Sequence, residues 1–240
     1  MSRVVYGIRP VAELLRYPKR VKVLMVVEDF KGKTLQSLVD QAKAADIPVE
    51  SRPRYVLDQM SEQAPHQGVL ARASGVEYLT LDELLALPMR EGVRRRIILA
   101  LDQVTDPHNL GAMARAMEVL GGHGLVLMTR RSVHVTAAVC KASAGAVEHL
   151  PLAQVVNLSQ ALERCVRDGF TVLGLDMEGD VSIHDIPPTG DLVLVVGSEG
   201  EGLREGVRAA CRHLVRIPMV GKVDSLNASV SVAIALSHWL

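Results

Sequence analysis

Three stretches of this 240-residue chain combine residue types and spacings that could do chemistry. In "LDQVTDPHNLGAMARAMEVLG" the residues Leu110, Met113, Ala114, Met117 and Leu120 recur at helical spacing and form a predicted buried stripe, with Asn109 placed as N-cap and Gly121 as the stop. Arg115 then falls nearly opposite that stripe, where the plainest reading is a solvated arginine. A guanidinium in that place can also grip phosphate bidentately or steady a developing oxyanion, but it offers only N–H donors and cannot act as a base. In "LVLVVGSEGEGL" an apolar strand runs into Gly197, Gly200 and Gly202, whose missing side chains let backbone N–H groups face a ligand. Glu199 and Glu201 stand where a phosphate-binding loop carries lysine and a hydroxyl, so a nucleoside triphosphate is disfavoured. Val196 stands where a nucleophile elbow needs glycine. In "GKVDSLNASVSVAIALSHWL" either Ser225 or Asn227 can cap the final helix, and capping does not account for both. That helix is rich in Ala228, Ser229, Ser231, Ala233, Ala235 and Ser237, which leave room for a neighbouring segment or a second subunit to come close.

The elements that must position these loops follow from the apolar pattern. From Ile97 onward, "IILALD", "GLVLM", "FTVLGLD", "LVLVVG" and "HLVRIPM" are apolar at almost every position, as strands buried on both faces are, so a parallel sheet sandwiched by helices is expected. Ligands of such sheets gather beyond the carboxyl ends of the strands, which is where the three stretches fall. Residues 1–75 alternate short β-branched and amphipathic runs and are expected to form a small α/β domain. Residues 76–96 are expected as a charged, helix-capable connector, with Thr80 and Glu83 as a capping box, and residues 97–240 as the catalytic domain.

Charge and composition bound the partners. The formal net charge is +0, yet Met1 to Gly75 carries 12 Lys/Arg against 8 Asp/Glu and Ile97 to Leu240 carries 11 against 15. A polyanion partner must therefore meet a local patch rather than a whole-chain field. Arg9, Arg16, Lys19, Arg20, Lys31, Lys33, Arg52 and Arg54 make the first domain the basic part of the chain, where such a patch is expected. Of seven aromatic residues only Phe170 and Trp239 fall in the catalytic domain, which argues against a base-stacking platform on its sheet. Cys140, Cys165 and Cys211 are odd in number and never in a C-x-x-C, so neither a disulfide framework nor a zinc site is expected. With no signal-like or membrane-length apolar segment, the reading is a soluble cytoplasmic protein without a membrane partner.

Taken in order, "NLGAMARAM", "VGSEGEGL" and "IPMVGKVDSLNASVSVAIAL" resemble the signature of the SpoU (TrmH-like) branch of the SPOUT methyltransferases, over about 140 residues. The "YGIRPV" start and "HQGVLA" end of the first module resemble the substrate-binding domain of family members that modify large-subunit ribosomal RNA. The resemblance implies an α/β fold with a SPOUT-type parallel sheet and a C-terminal deep trefoil knot, preceded by a small RNA-substrate-binding domain. It implies S-adenosylmethionine bound in a bent shape by Gly197, Ile217 and Leu226. It also implies Arg115, Asn109, Glu199, Ser225 and Asn227 as catalytic residues, no metal, and a homodimer in which Arg115 serves its own or the partner's site. The expected activity is 2′-O-methylation of a ribose in 23S rRNA, on a guanosine of the peptidyl-transferase region. The alternatives are a tRNA enzyme, a self-resistance enzyme acting on a ribosomal adenosine, and a non-catalytic RNA-binding or ribosome-assembly protein.

Overall fold

A computed structural model describes residues 2–187, 189–222 and 225–240. The chain clusters into two compact units, Met1–Val76 with Val135–His149, and Glu77–His134 with Leu150–Leu240.

The first unit is built on β1 (Ser2–Tyr6), α1 (Ile8–Leu15), β2 (Val21–Val27), α2 (Lys33–Ala44), β3 (Val49–Arg52), α3 (Arg54–Met60) and β4 (Val69–Ser74). Its sheet runs β1-β4-β2-β3. β4 is antiparallel to both β1 and β2, whereas β2 and β3 are parallel. Val5, Val11, Leu14, Leu24, Leu57 and Leu70 are fully buried between the sheet and its helices. Burial of each such side chain contributes about 1.5–3 kcal/mol.

Val135–His149 falls inside the expected catalytic domain but clusters with this first unit, and a polar cluster explains why. The guanidinium of Arg3 donates to both carboxylate oxygens of Glu148, and its Nη1 also reaches Cys140 Sγ. His149 bonds the Tyr17 hydroxyl through Nδ1 and the Glu13 carboxylate through Nε2, each at 2.8 Å. Glu148 is nearly inaccessible, so removing Arg3 would strand a buried charge at a cost of about 3–5 kcal/mol.

The second unit begins with α4 (Leu81–Ala86), in the segment expected as connector. The Thr80–Glu83 capping box is present, and Leu84 and Leu85 pack into the core of this unit. The sheet consists of β5 (Ile97–Leu101), β6 (Gly124–Met128), β7 (Leu152–Val155), β8 (Thr171–Leu175), β9 (Val181–Ser182), β10 (Leu192–Val196) and β11 (His213–Arg216). Its order is β7-β6-β5-β10-β8-β11-β9, and every pairing is parallel. All residues of β5, β6 and β10 are buried, as solid apolar runs predict. β7 and β9 were not expected, being short strands in which polar Gln154 and Ser182 interrupt the apolar signal.

Around the sheet lie α5 (Pro107–Leu120), α7 (Leu158–Arg167), α8 (Glu205–Ala210) and the C-terminal α9 (Ala228–Trp239); α6 (Ala137–Ala142) belongs to the first unit. α5 buries Leu110, Met113, Ala114 and Met117 and stops at Gly121 in the left-handed conformation, φ 87°. Its N-cap, however, is Asp106 rather than Asn109: the carboxylate accepts the N–H groups of His108 and Asn109. Pro107 explains the earlier start, because proline fits the first helical position with its φ preset and no N–H to satisfy. The three cysteines are free thiols. Burial pushes Cys140 and Cys211 up to about 12 and Cys165 to about 11, so at neutral pH all three stay protonated.

Candidate active site

At the carboxyl ends of β8, β10 and β11, the following segments enclose a cleft of about 560 Å³. This lies within the roughly 300–1,000 Å³ typical of small-ligand sites. Gly197, Ile217 and Leu226, the expected cofactor residues, all line it, as do Glu199, Ser225 and Asn227. Sequence positions up to 30 apart are thus brought together where the segments after β10 and β11 meet the start of α9.

The turn after β10 explains why residue 197 is glycine. Gly202 N–H donates back to the Ser198 carbonyl, folding the loop over Gly197. A Cβ on Gly197 would lie 2.1 Å from the carbonyl carbon and oxygen of Gly202. Gly200 and Gly202 adopt φ of 91° and 67°, the left-handed region that glycine enters at little cost. Asp102, at the end of β5 and wholly buried, anchors the far side of this turn. It accepts the backbone N–H of Arg204 at 2.9 Å and its Nε at 2.7 Å.

Asn227 joins three elements. Its Oδ1 accepts the N–H of Ser229, which caps α9, while its Nδ2 donates to Asn109 Oδ1 at 3.0 Å and to Glu199 Oε1 at 2.9 Å. Asn227 is therefore the cap, and Ser225 is an exposed residue of the cleft wall. Asn109 lies outside the cleft lining but reaches it through this amide, which its release from capping makes possible. The lining is acidic, with Asp176, Glu178, Glu199 and Glu201 against Arg208, which is paired with Asp176. Such a wall favours a cationic or hydrogen-bonding ligand and disfavours a polyphosphate.

Arg115 is not part of this cleft. It is exposed on α5, with no hydrogen bond or ion pair among the described residues. Its neighbours form a shallow groove of about 520 Å³ lined by Ala112 and Ala116 of α5 and by Ser229, Val230, Ala233 and Ile234 of α9. Sequence reasoning missed Asp102, Arg204, Asp176 and Arg208. The pairing of Asp102 with Arg204 spans 102 positions and has no local signature. The Asp106–Pro107 start of α5 did have one, the cap residue followed by proline. Among the described residues no group of three or more His, Cys, Asp or Glu side chains is arranged to hold a metal ion.

A cleft at the carboxyl ends of parallel strands is where α/β proteins commonly bind their ligands. Comparison with known proteins specifies it. Residues 96–237 match the SpoU rRNA Methylase family, and residues 4–79 match the family described as RNA 2′-O ribose methyltransferase substrate binding. The putative TrmH family tRNA/rRNA methyltransferase YacO of Bacillus subtilis is 38% identical over 97% of this chain and 92% of its own length. The 23S rRNA (guanosine-2′-O-)-methyltransferase RlmB of Shewanella oneidensis is also 38% identical, over 97% of this chain and 94% of its own length. The crystal structure of the SpoU methyltransferase AviRb from Streptomyces viridochromogenes, in complex with AdoMet, superposes with a TM-score of 0.81 at 24% identity. That superposition covers 99% of this chain and 89% of AviRb. The chain belongs to the SpoU rRNA methylase family and is an RNA methyltransferase of that class.

Proposed function

We propose that this protein transfers a methyl group from S-adenosylmethionine to a ribose 2′-oxygen of 23S rRNA, on a guanosine of the peptidyl-transferase region. The observation that carries this reading is the convergence of Gly197, Ile217 and Leu226 with Glu199, Ser225 and Asn227 in one acidic cleft. The relative named for guanosine methylation in 23S rRNA, aligned over nearly both whole chains, supports the target.

The residues present fit the donor. Gly197 keeps the turn tight enough for backbone N–H groups to face the cleft, and Ile217 and Leu226 give apolar walls for an adenine. When bound, S-adenosylmethionine supplies a sulfonium methyl whose sulfur leaves as a neutral thioether. The carboxylates of Asp176, Glu178, Glu199 and Glu201 suit that cationic group. Asn109, Asn227 and Glu199 form a fixed hydrogen-bonded chain that orients the donor side against the substrate side. Arg115 grips the phosphate next to the target ribose and steadies the developing alkoxide, while a phosphate oxygen or water takes the proton.

Because Arg115 lies outside its own cleft, this role is filled in a homodimer. Arg115 shares the outer face of α5 with Ala112, Ala116 and Val119, and α9 adds Val230 and Ile234. Val119, Val230 and Ile234 are 74%, 46% and 39% exposed, an apolar face that a second copy would cover while carrying Arg115 into its partner's cleft. The small residues along α9 are also what a trefoil-knotted C-terminus, which we include in the proposal, would need for close packing.

Mapping of 2′-O-methyl groups on unmodified 23S rRNA incubated with protein and S-adenosylmethionine tests the assignment. One donor-dependent guanosine in the peptidyl-transferase region is expected; methylation of tRNA or of an adenosine would move the target, and no transfer would leave a non-catalytic binder. Light scattering tests the dimer: Ile234→Glu is expected to convert two-copy particles to single chains and abolish turnover. A dimeric Ile234→Glu, or a monomeric wild type, would overturn the shared site.

A further inference from the structure

The carboxyl end of the second unit's sheet is electrically divided. On the side of β8 and β10 the cleft presents Asp176, Glu178, Glu199 and Glu201. On the side of β5 and β6 the balance is reversed. The two carboxylates at the end of β5 are turned to internal partners, Asp102 to Arg204 and Asp106 to the first N–H groups of α5. Beyond β6, the loop "TRRSVH" exposes Arg130 and Arg131, neither of which has a hydrogen-bond or ion-pair partner among the described residues.

This loop is held in place. Thr129 N–H donates to Val155, Val133 N–H donates to Val104 at 2.9 Å, and Gln154 bonds the ring of His134 at 3.2 Å. Arg131 itself is in the left-handed region, φ 56°, which non-glycine residues enter at a cost and which the flanking bonds enforce. Two free guanidiniums on an immobilised loop lose less freedom on binding an anion than two on a mobile one. β6 is two strands from β10, a strand-to-strand separation of about 10 Å, so the loop after β6 and the turn over Gly197 rise from the same end of the sheet two strands apart.

Resting on the reading that the substrate is RNA, we infer that Arg130 and Arg131 form a phosphate clamp on the catalytic unit. The clamp aligns the target strand over β5 and β6 while the cationic donor occupies the acidic side. The hydrogen-bonded chain of Asn109, Asn227 and Glu199 lies between the two halves, where ribose and methyl must meet. Arg130 and Arg131 are positioning residues in this scheme, acting through the RNA backbone rather than on the reacting atoms.

The test uses the full-length protein and a 23S rRNA transcript. Arg130→Ala combined with Arg131→Asn removes both charges while keeping a residue that tolerates positive φ. RNA affinity is expected to fall about tenfold, with the slope of log affinity against log salt shallower by about 1–2. KM for RNA should rise while kcat at saturating RNA stays near wild type, and calorimetry should give unchanged S-adenosylmethionine affinity. The Arg130→Lys, Arg131→Lys pair, which keeps the charge, should restore most of the RNA affinity. A wild type that methylates RNA beside a neutral variant with the same KM and salt slope would overturn the clamp and leave the functional reading standing. A wild type that binds no RNA would overturn both.

Discussion

Arg115→Lys is expected to lower turnover by about a hundredfold while S-adenosylmethionine binds as before. The guanidinium is planar and pairs with a phosphate through two parallel bonds, whereas an ammonium offers a single point charge, so the geometry that steadies an alkoxide beside that phosphate is lost. Arg115 is exposed and does not line the cleft of its own chain, so donor affinity is expected to stay unchanged. An interaction made only in the transition state lowers kcat and kcat/KM together. Single-turnover methylation with calorimetry of donor binding checks this, and unchanged turnover would remove Arg115 from the chemistry. On the proposed dimer, in which Arg115 serves the partner's cleft, mixing an Arg115 variant with a donor-site variant should recover part of the activity through mixed dimers.

The second large effect is expected at Gly197. A methyl there would lie 2.1 Å from the Gly202 backbone, which no side-chain rotation can relieve. The loop must open, and overpacking of this kind costs about 1–3 kcal/mol. Gly197→Ala is therefore expected to weaken S-adenosylmethionine binding by about tenfold or more, since 1.4 kcal/mol is a factor of ten. Gly200→Ala is the control: nothing lies within 4 Å of a Cβ there, and only its positive φ is penalised. It should cost about 1–2 kcal/mol of stability and leave donor affinity close to wild type. Equal donor affinity in Gly197→Ala and wild type would show that the turn is not the donor's wall.

Much of this architecture could be read before any coordinates, because the relevant forces are local. Strands buried on both faces must be apolar throughout, and β5, β6 and β10 are, while β8 and β11 keep an apolar centre between polar or partly exposed ends. The stripe on α5 and the Thr80–Glu83 cap likewise announce themselves within one or two turns. Long-range pairings left no such trace. Asp102 reads as one more loop carboxylate until β5 and the start of α8 meet, and Glu148 reads as a surface charge until Arg3 reaches it. Asn109 misled for a related reason: its type suits a cap, but Pro107 two residues earlier had already set the start of the helix, freeing the amide for Asn227. Gly197, Ile217 and Leu226 were named from family resemblance, and the meeting of the segments after β10 and β11 with the start of α9 is what gathers them in space.

The pairing of Arg3 with Glu148 bears on how the chain is made. The first unit is assembled from two stretches separated by 58 intervening residues, Glu77–His134. During synthesis, which proceeds from the N-terminus at about 5–20 residues per second, β1 must wait for α6 and the residues after it. Until Glu148 has left the ribosome, Arg3 lacks its carboxylate partner and one side of β1 stays bare. The two units therefore mature together, and a chain cut after Val76 would yield two damaged pieces instead of two working modules.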